Sequence, residues 1–410
     1  MKRIIWLRTI ILGVSFALTV NASALEIYVQ GFPFPLLLDV EASDSIESIR
    51  AKVQEARVVG TVDELILGLE GTTLEDGFTI ADYGIQKGDT INAEVLRVSR
   101  VSLDETSLVQ QAQLSRTAMR TAKMVLHGLH GHPLDYRVAP GKDHAMWIGG
   151  DWGEDQHGHS DGSLGIAEIG VARVLNSSGA QFGIGLGKSW SDHDTYLGGS
   201  QDMRGEYLLG ELIFPAESLG ENAWMTLTGC YHQADAGLLR AYDTGSATDF
   251  SSGETDVYTW AFRARIDWQY AFALRACGFS PYVDLSFVES QVDGYPETGG
   301  SAPAIFQSNR DRSLEARAGV NMLYELSSSM AVTGEVGVCQ HLNQRNPAVA
   351  GEALGSSFNV MASKTDETWM LGSIGIRAIT EVGTVNLRLN GTSEGGDSTA
   401  WVSLLWSLSL

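Results

Sequence analysis

"TAWVSLLWSLSL", residues 399–410, decides how the larger part of this chain folds. Val402, Leu404, Trp406, Leu408 and Leu410 recur at every second position, while Ser403, Ser407 and Ser409 take alternate ones. A period of two belongs to a strand, whose successive side chains point to opposite faces. An apolar face backed by small polar residues suits a strand between lipid and a wet lumen. Reading back from this end, the same texture extends to about residue 140, with frequent glycine, alternation and polar loops. About twelve candidate strands appear, of the roughly ten-residue length that crosses a bilayer. They fall at 144–153, 163–175, 180–191, 204–214, 222–232, 257–270, 280–289, 313–326, 330–340, 368–380, 384–392 and 399–410.

Loop lengths alternate in the same region. Connections after odd strands are long and polar: 154–162, 192–203, 233–256, 290–312, 341–367 and 393–398. After even strands they are mostly tight, such as Asn176-Ser177-Ser178-Gly179, Ser327-Ser328-Ser329 and Glu381-Val382-Gly383. Long loops on one side and short turns on the other mark an outer-membrane barrel; a water-soluble sandwich has less reason to keep such parity. Trp147, Trp152, Trp190, Trp224, Trp260, Trp268, Trp369 and Trp401 lie mostly near strand ends, the expected place of membrane girdles. Arg263, Arg265, Asp267, Asp284, Glu315, Arg317 and Glu335 interrupt the strands, mostly at alternating positions. They are expected to face a polar lumen, because a charge turned into lipid at mid-depth costs about 2–4 kcal/mol.

Ahead of the strands, residues 104–127 read as a helix, capped by Asp104 and ended by Gly128 and Gly131-His132-Pro133. At 1.5 Å per residue it would be roughly 35 Å long, enough to thread a bilayer-sized pore. Arg116, Arg120 and Lys123 share one face. A basic stripe would be held in a lumen carrying acidic strand residues; the plainer alternative is the charged face of a solvated linker.

The order of a helix followed by about twelve strands ending the chain resembles the autotransporters of type V secretion. The tract "SSFNVMASKTDETWMLGSIGIRAI" (356–379) is similar to their barrel. The resemblance implies a C-terminal translocator with its N-terminal passenger moved to the cell surface of a Gram-negative-type bacterium. It also implies outer-membrane lipid, barrel-assembly machinery and periplasmic chaperones as partners. The final strand resembles the recognition strand of outer-membrane proteins, with Leu410 where most of them carry an aromatic residue. Some family members cleave themselves at an Asn in the lumenal helix. This helix has no Asn, so the passenger is expected to stay attached.

The passenger region has its own pattern. Leu25–Val29 and Leu36–Glu41 alternate about a Pro-rich turn and read as a hairpin. Ser43 or Asp44 caps a following helix, with Ile46, Ile49 and Val53 on one face. Leu65–Leu67, a turn at Glu70-Gly71 and Ile91–Leu96 complete an α+β order of hairpin, helix and two strands, which is a β-grasp. The runs Ser43-Asp44-x-Ile46-Glu47-x-Ile49-Arg50-Ala51-Lys52-Val53-Gln54 and "TLEDGFTIADYGIQKGDT" (73–90) resemble ubiquitin in order and spacing. A conjugated ubiquitin ends in a free Gly-Gly. Here the last strand runs into Arg97-Val98-Ser99-Arg100, so the resemblance does not extend to a carboxyl donor. Lys52 and Lys87 are the only lysines of this region, and Glu94 aligns where the family carries an aliphatic patch residue. Phe32 and Ile66 are candidates for an apolar interaction patch, with hairpin cover as the alternative.

The reading is therefore multi-domain. Residues 1–24 form a signal peptide, with Lys2, Arg3 and Arg8 before an apolar run and a small-x-small site at Ala22 and Ala24. Residues 25–97 are a ubiquitin-like β-grasp domain, 98–139 a helical linker threading the lumen, and 140–410 an all-β transmembrane antiparallel barrel. The net charge of −22 and pI near 4.7 argue against nucleic acid. Cys230, Cys277 and Cys339 are odd in number and widely spaced, neither a disulfide framework nor a metal motif. Two clusters invite chemistry. His127, His130 and His132 with His157 and His159 have metal-like residue types, but no helix or strand spacing fixes them together. Asp192-His193-Asp194, with His157 and Asp161, offers Asp/His pairs of the kind a surface hydrolase uses. HExxH and a phosphate-binding glycine loop before a helix are absent from the sequence. No catalytic, cofactor or metal residues are assigned. The expectation is a non-enzymatic outer-membrane protein displaying a protein-binding module. The competing expectation is a porin-like channel with a periplasmic ubiquitin-like adaptor.

Overall fold

The computed structural model describes residues 25–30, 36–57, 64–69, 71–96, 105–109, 111–157, 160–244, 247–344, 348–361, 368–394 and 399–410. Ala22, Ala24 and Phe32 lie outside that set. The chain divides into two compact units between Arg100 and Val101.

In the first unit, β1 (Leu25–Gln30), β2 (Leu36–Val40), α1 (Ile46–Arg57), β3 (Glu64–Leu69), β4 (Thr72–Thr73) and β5 (Thr90–Leu96) follow in chain order. The sheet order is β2-β1-β5-β3-β4, with β1 antiparallel to β2 and parallel to β5. Alternation sends Ile27, Val29, Leu65 and Leu67 inward, where they pack on Ile46, Ile49 and Val53 of α1. The cap is Ser45, whose Oγ accepts the Ser48 N–H at 3.2 Å. It is not Ser43 or Asp44. Asp44 instead accepts from Lys52 Nζ at 2.7 Å and from the Glu41 N–H at 3.1 Å. Between β4 and β5 the chain turns repeatedly and still delivers Leu74, Ile80 and Ile85 to the core. Asp82 holds one of these turns by accepting from the Thr79 N–H and hydroxyl, both at 2.8 Å.

The second unit begins with α2 (Glu105–Val109), α3 (Ala112–Met124) and a π-helical turn, Val125–Leu129. The expected single helix is thus divided, with a turn at Gln111, and continues through Gly128 to Leu129. Twelve long strands follow: β6 (His144–His157), β7 (Ser160–Val174), β8 (Gln181–Asp194), β9 (Ser200–Pro215), β10 (Ala223–Asp243), β11 (Thr248–Trp268), β12 (Cys277–Val292), β13 (Asn309–Ser327), β14 (Met330–Gln344), β15 (Thr368–Thr380), β16 (Gly383–Thr392) and β17 (Thr399–Ser409). Each pairs antiparallel with the next, and β17 pairs with β6 from Trp401↔Gly153 to Ser409↔Ala145. Closure satisfies every ladder, which a barrel in lipid requires. On β17, Val402 and Leu404 are exposed on the outer face while Ser403 and Leu405 are buried inside. Among the described residues no helix is long and apolar enough to cross a membrane.

At the short-turn end the strand limits fall close to those expected. At the opposite end β10 and β11 run on to 21 residues each, far beyond the roughly ten that span lipid. The expected loops 290–312 and 341–367 contain further strand segments, Tyr295–Pro296, Ala304–Phe306, Ala348–Ala353 and Ser356–Met361, which pair into a four-stranded sheet. A template of membrane-length strands misses these extensions, because their outer faces meet water and carry polar residues. The aromatic expectation also needs correction. Trp152 and Trp260 face outward, but Trp147 and Trp369 are buried inside the barrel. Trp147 lies across Gly170, where a side chain would collide with its ring.

Candidate functional site

The lumen is filled by the segment that precedes the strands, residues 111–138, and the contacts fall at three levels. Nearest the long-loop end, Ser115 Oγ donates to Asp311, Arg116 is buried, and Tyr295 Oη donates to Gln111 Oε1 at 2.5 Å. One turn further, Arg120 Nη1 donates to both Asp155 oxygens at 3.1 and 3.0 Å. Lys123 Nζ is ion-paired with Glu315 and donates to Glu394 Oε1 at 2.7 Å. The helix face of Arg116, Arg120 and Lys123 therefore meets acidic wall residues on β6 and β13 and in the segment after β16.

At the second level the helix changes pitch. The His130 N–H donates to the Val125 carbonyl at 3.1 Å, five residues back. That spacing widens the turn and frees the Leu126 carbonyl. Arg263 of β11 takes it, and the same Nη1 donates to the His130 carbonyl at 2.9 Å. The His130 ring is fully buried, with Nε2 2.9 Å from Glu168 Oε1 and Nδ1 3.3 Å from Glu211 Oε2. Trp147 Nε1 donates to the same Glu168 oxygen at 2.6 Å, and Tyr136 stacks on the imidazole at 4.4 Å. Gly128 has no side chain for a steric reason, since a Cβ there would collide with the Asp151 carboxylate.

At the third level the chain leaves the helix. His132 Nε2 lies 3.2 Å from Glu335 Oε2, and Asp135 is ion-paired with Arg377 and Arg388. Arg137 stacks on Trp224 at 3.5 Å, and Gln181 clasps the backbone, accepting the Val138 N–H at 2.8 Å and donating to the Tyr136 carbonyl at 3.0 Å. Beside the helix a cavity of about 90 Å³ remains, with Lys123, His127 and Asp284 among its walls. It has room for a few waters at about 30 Å³ each and is no open pore.

Over the outer mouth the four-stranded sheet and the β10–β11 extension form a second apolar core. Leu108, Ala112 and Leu114 of the helices pack in it against residues such as Leu238, Phe306 and Val349. Inside this collar Arg240 makes a buried pair with Glu297, Nη2 to Oε2 at 2.6 Å, and donates to Ser107 Oγ at 3.2 Å.

The tempting clusters disperse. His127 faces Ser286 (3.3 Å), while His130 and His132 bind separate carboxylates, so the three imidazoles do not converge. His193 points into the barrel with Nε2 3.0 Å from Asp155, while Asp192, Asp194 and Asp161 do not share its inward face. The side chain of His157 and residue His159 lie outside the described set. Glu315, His341 and Glu394 do converge with metal-like spacing. The Lys123 ammonium already supplies their cation. The three cysteines are unpaired, with Cys230 and Cys339 buried. Of the candidate patch, Ile66 is half-buried on β3. The His130–Glu168–Glu211–Arg263 network was not foreseen. Its traces in the sequence are Arg263, a strand charge expected to face the lumen, and His130, with nothing there to pair either of them with Glu168 or Glu211.

Residues 146–392 match the family model of the autotransporter beta-domain. The chain belongs to the autotransporter family. Its autotransporter barrel superposes on the translocator domain of NalP from Neisseria meningitidis with a TM-score of 0.58 at 12% identity, over 75% of this chain and 100% of that one. The beta domain of the Bordetella autotransporter Brka gives a TM-score of 0.47 at 14% identity, over 65% and 100% of the two chains. Esterase EstA of Pseudomonas aeruginosa and of Pseudomonas putida are each 32% identical over 120 residues, 28% of this chain and 18% of theirs. The autotransporter thus aligns with less than a fifth of the length of those curated relatives. Residues 33–96 match the ubiquitin family model. This autotransporter is accordingly an outer-membrane protein of type V secretion with a ubiquitin-like N-terminal module.

Proposed function

We propose that this autotransporter displays its β-grasp module at the cell surface as a non-enzymatic, protein-binding passenger that stays joined to the barrel. The three-level lock on residues 111–138 carries this reading. A helix held by Arg120–Asp155, by Lys123 with two glutamates, and by Arg263 on two carbonyls is fitted to remain in place after transport. Residues 105–129 contain no Asn, the residue at which the resembling family members cleave. The module is joined to the strand unit by main chain and, having no free Gly-Gly end, is not read as a conjugated modifier. Partners in assembly would be the barrel-assembly machinery and periplasmic chaperones.

Protease shaving of intact cells, with an epitope tag just after Ala24, tests the display. Loss of the tag while the outer membrane is sealed supports it. Survival of the tag until the membrane is opened places the module in the periplasm, and the channel-with-adaptor reading then takes over.

A further inference from the structure

The open face of the module's sheet breaks two rules of exposed strands at adjacent positions. Tyr28 of β1 and Leu37 of β2 stand directly opposite one another, 44% and 50% exposed. The next pair along the same face is Glu26 opposite Asp39. Like charges directly opposite destabilise a sheet, and an apolar pair that is about half exposed gains only its cross-strand contact while leaving apolar surface in water. Lys87 reaches Glu26 at 2.9 Å, but both side chains are largely exposed, so that pair relieves little. Residues 25–96 as a whole carry fourteen Asp and Glu against four Lys and Arg. Local departures from the rules of a stable sheet collect where a surface is kept for binding.

We infer that the Tyr28–Leu37 face docks a cationic protein surface, with an aliphatic or aromatic anchor against this pair and Lys or Arg side chains against Glu26 and Asp39. The inference rests on the protein-binding reading above and specifies its site and the chemistry of its partner. It also moves the contact from Phe32 and Ile66 to the β1–β2 side of the sheet. In the sheet order, β5 separates β1 from the β3 strand that holds Ile66.

The test uses the full chain in nanodiscs of zwitterionic lipid. The probe is a fluorescent twelve-residue peptide alternating Arg and Leu, read by anisotropy against empty discs. A Glu/Leu peptide of the same length is the charge-reversed control. The expected result is saturable binding of the Arg/Leu peptide alone, weakening as salt is raised. Tyr28→Ser with Leu37→Ser, and separately Glu26→Gln with Asp39→Asn, should each lower affinity at least about tenfold, while Tyr28→Phe keeps it. No binding beyond empty discs, equal binding of the Glu/Leu peptide, binding unmoved by the serine variants, or equal loss in Tyr28→Phe overturns the inference. Binding unmoved by the serine variants would point instead to the edge of β2 or to overall acidity. Shaving of cells reads the side of the membrane independently, so display and docking fail separately.

Discussion

At the scale of single residues, the lock depends on charges that were taken out of water together. Removing one member of a buried pair leaves the other uncompensated, at about 3–5 kcal/mol. Lys123→Met removes the cation that Glu315 and Glu394 share, leaving Glu315 with Arg317 at 3.2 Å. The expected outcome is a lower unfolding temperature of the detergent-solubilised protein, followed by heat-dependent gel mobility. Adding Glu394→Gln should recover most of the loss, since the remaining Glu315 carboxylate keeps Arg317 as its partner. Arg263→Met should cost a similar amount and also release the Leu126 and His130 carbonyls. Its signature is faster amide hydrogen exchange confined to residues 125–131, while exchange at Ser115 and Arg120 stays as it was. In the module, the two Thr79 hydrogen bonds hold the Asp82 carboxyl below its ordinary 3.8. A depressed carboxyl stabilises the fold above its unfolded pKa and ceases to do so as pH falls through the folded value. Asp82→Asn should therefore destabilise the module at neutral pH and narrow its difference from wild type below about pH 4.

Among the elements, the helix and the collar have separable roles. The helix and the segment after it fill the lumen, leaving among the described residues cavities of about 90 and about 80 Å³. Planar-bilayer recordings should show low conductance for the whole chain and large steady currents when residues 105–138 are removed from the barrel. Large currents from the intact chain would remove the plugged-pore account. The collar covers Leu108 and Leu114 without reaching the lower lock at Arg263. Replacing residues 348–361 by a short Gly-Ser turn should therefore expose the segment around Leu108 to added protease. Conductance should remain low, because Lys123, His130 and Asp135 still hold their wall partners. If instead the pore opens, the collar rather than the lumenal ion pairs makes the seal.

For the whole molecule, much of this architecture could be read from local pattern. The period-two run of 399–410, the loop parity and the helix between two unlike textures are short-range features, and each reflects a nearby boundary between lipid, lumen and water. The basic face of Arg116, Arg120 and Lys123 was legible because a helix repeats every 3.6 residues, and so was the presence of acids in the facing strands. Which acid meets which base was not legible. Lys123 finds Glu315 and Glu394, respectively 192 and 271 positions away, through the register and closure of twelve strands. Alternation says only that a residue faces inward, not at what height or against which neighbour. The collar escaped for a related reason, because strands beyond the membrane lose the lipid-facing apolar signal while continuing their ladders.

By itself, then, the sequence determined the two-part order, the class of each part, the inward face of strands such as 399–410 and the residue types available for a lock. The tertiary structure alone decided the π turn under Arg263, the burial of His130 between two glutamates, the inward Trp147 and Trp369, and the sheet over the mouth. The physical division is one of range. Hydrophobic period and turn chemistry act over a few residues, whereas ion-pair partners and packed rings are set by which distant segments closure brings within a few ångströms.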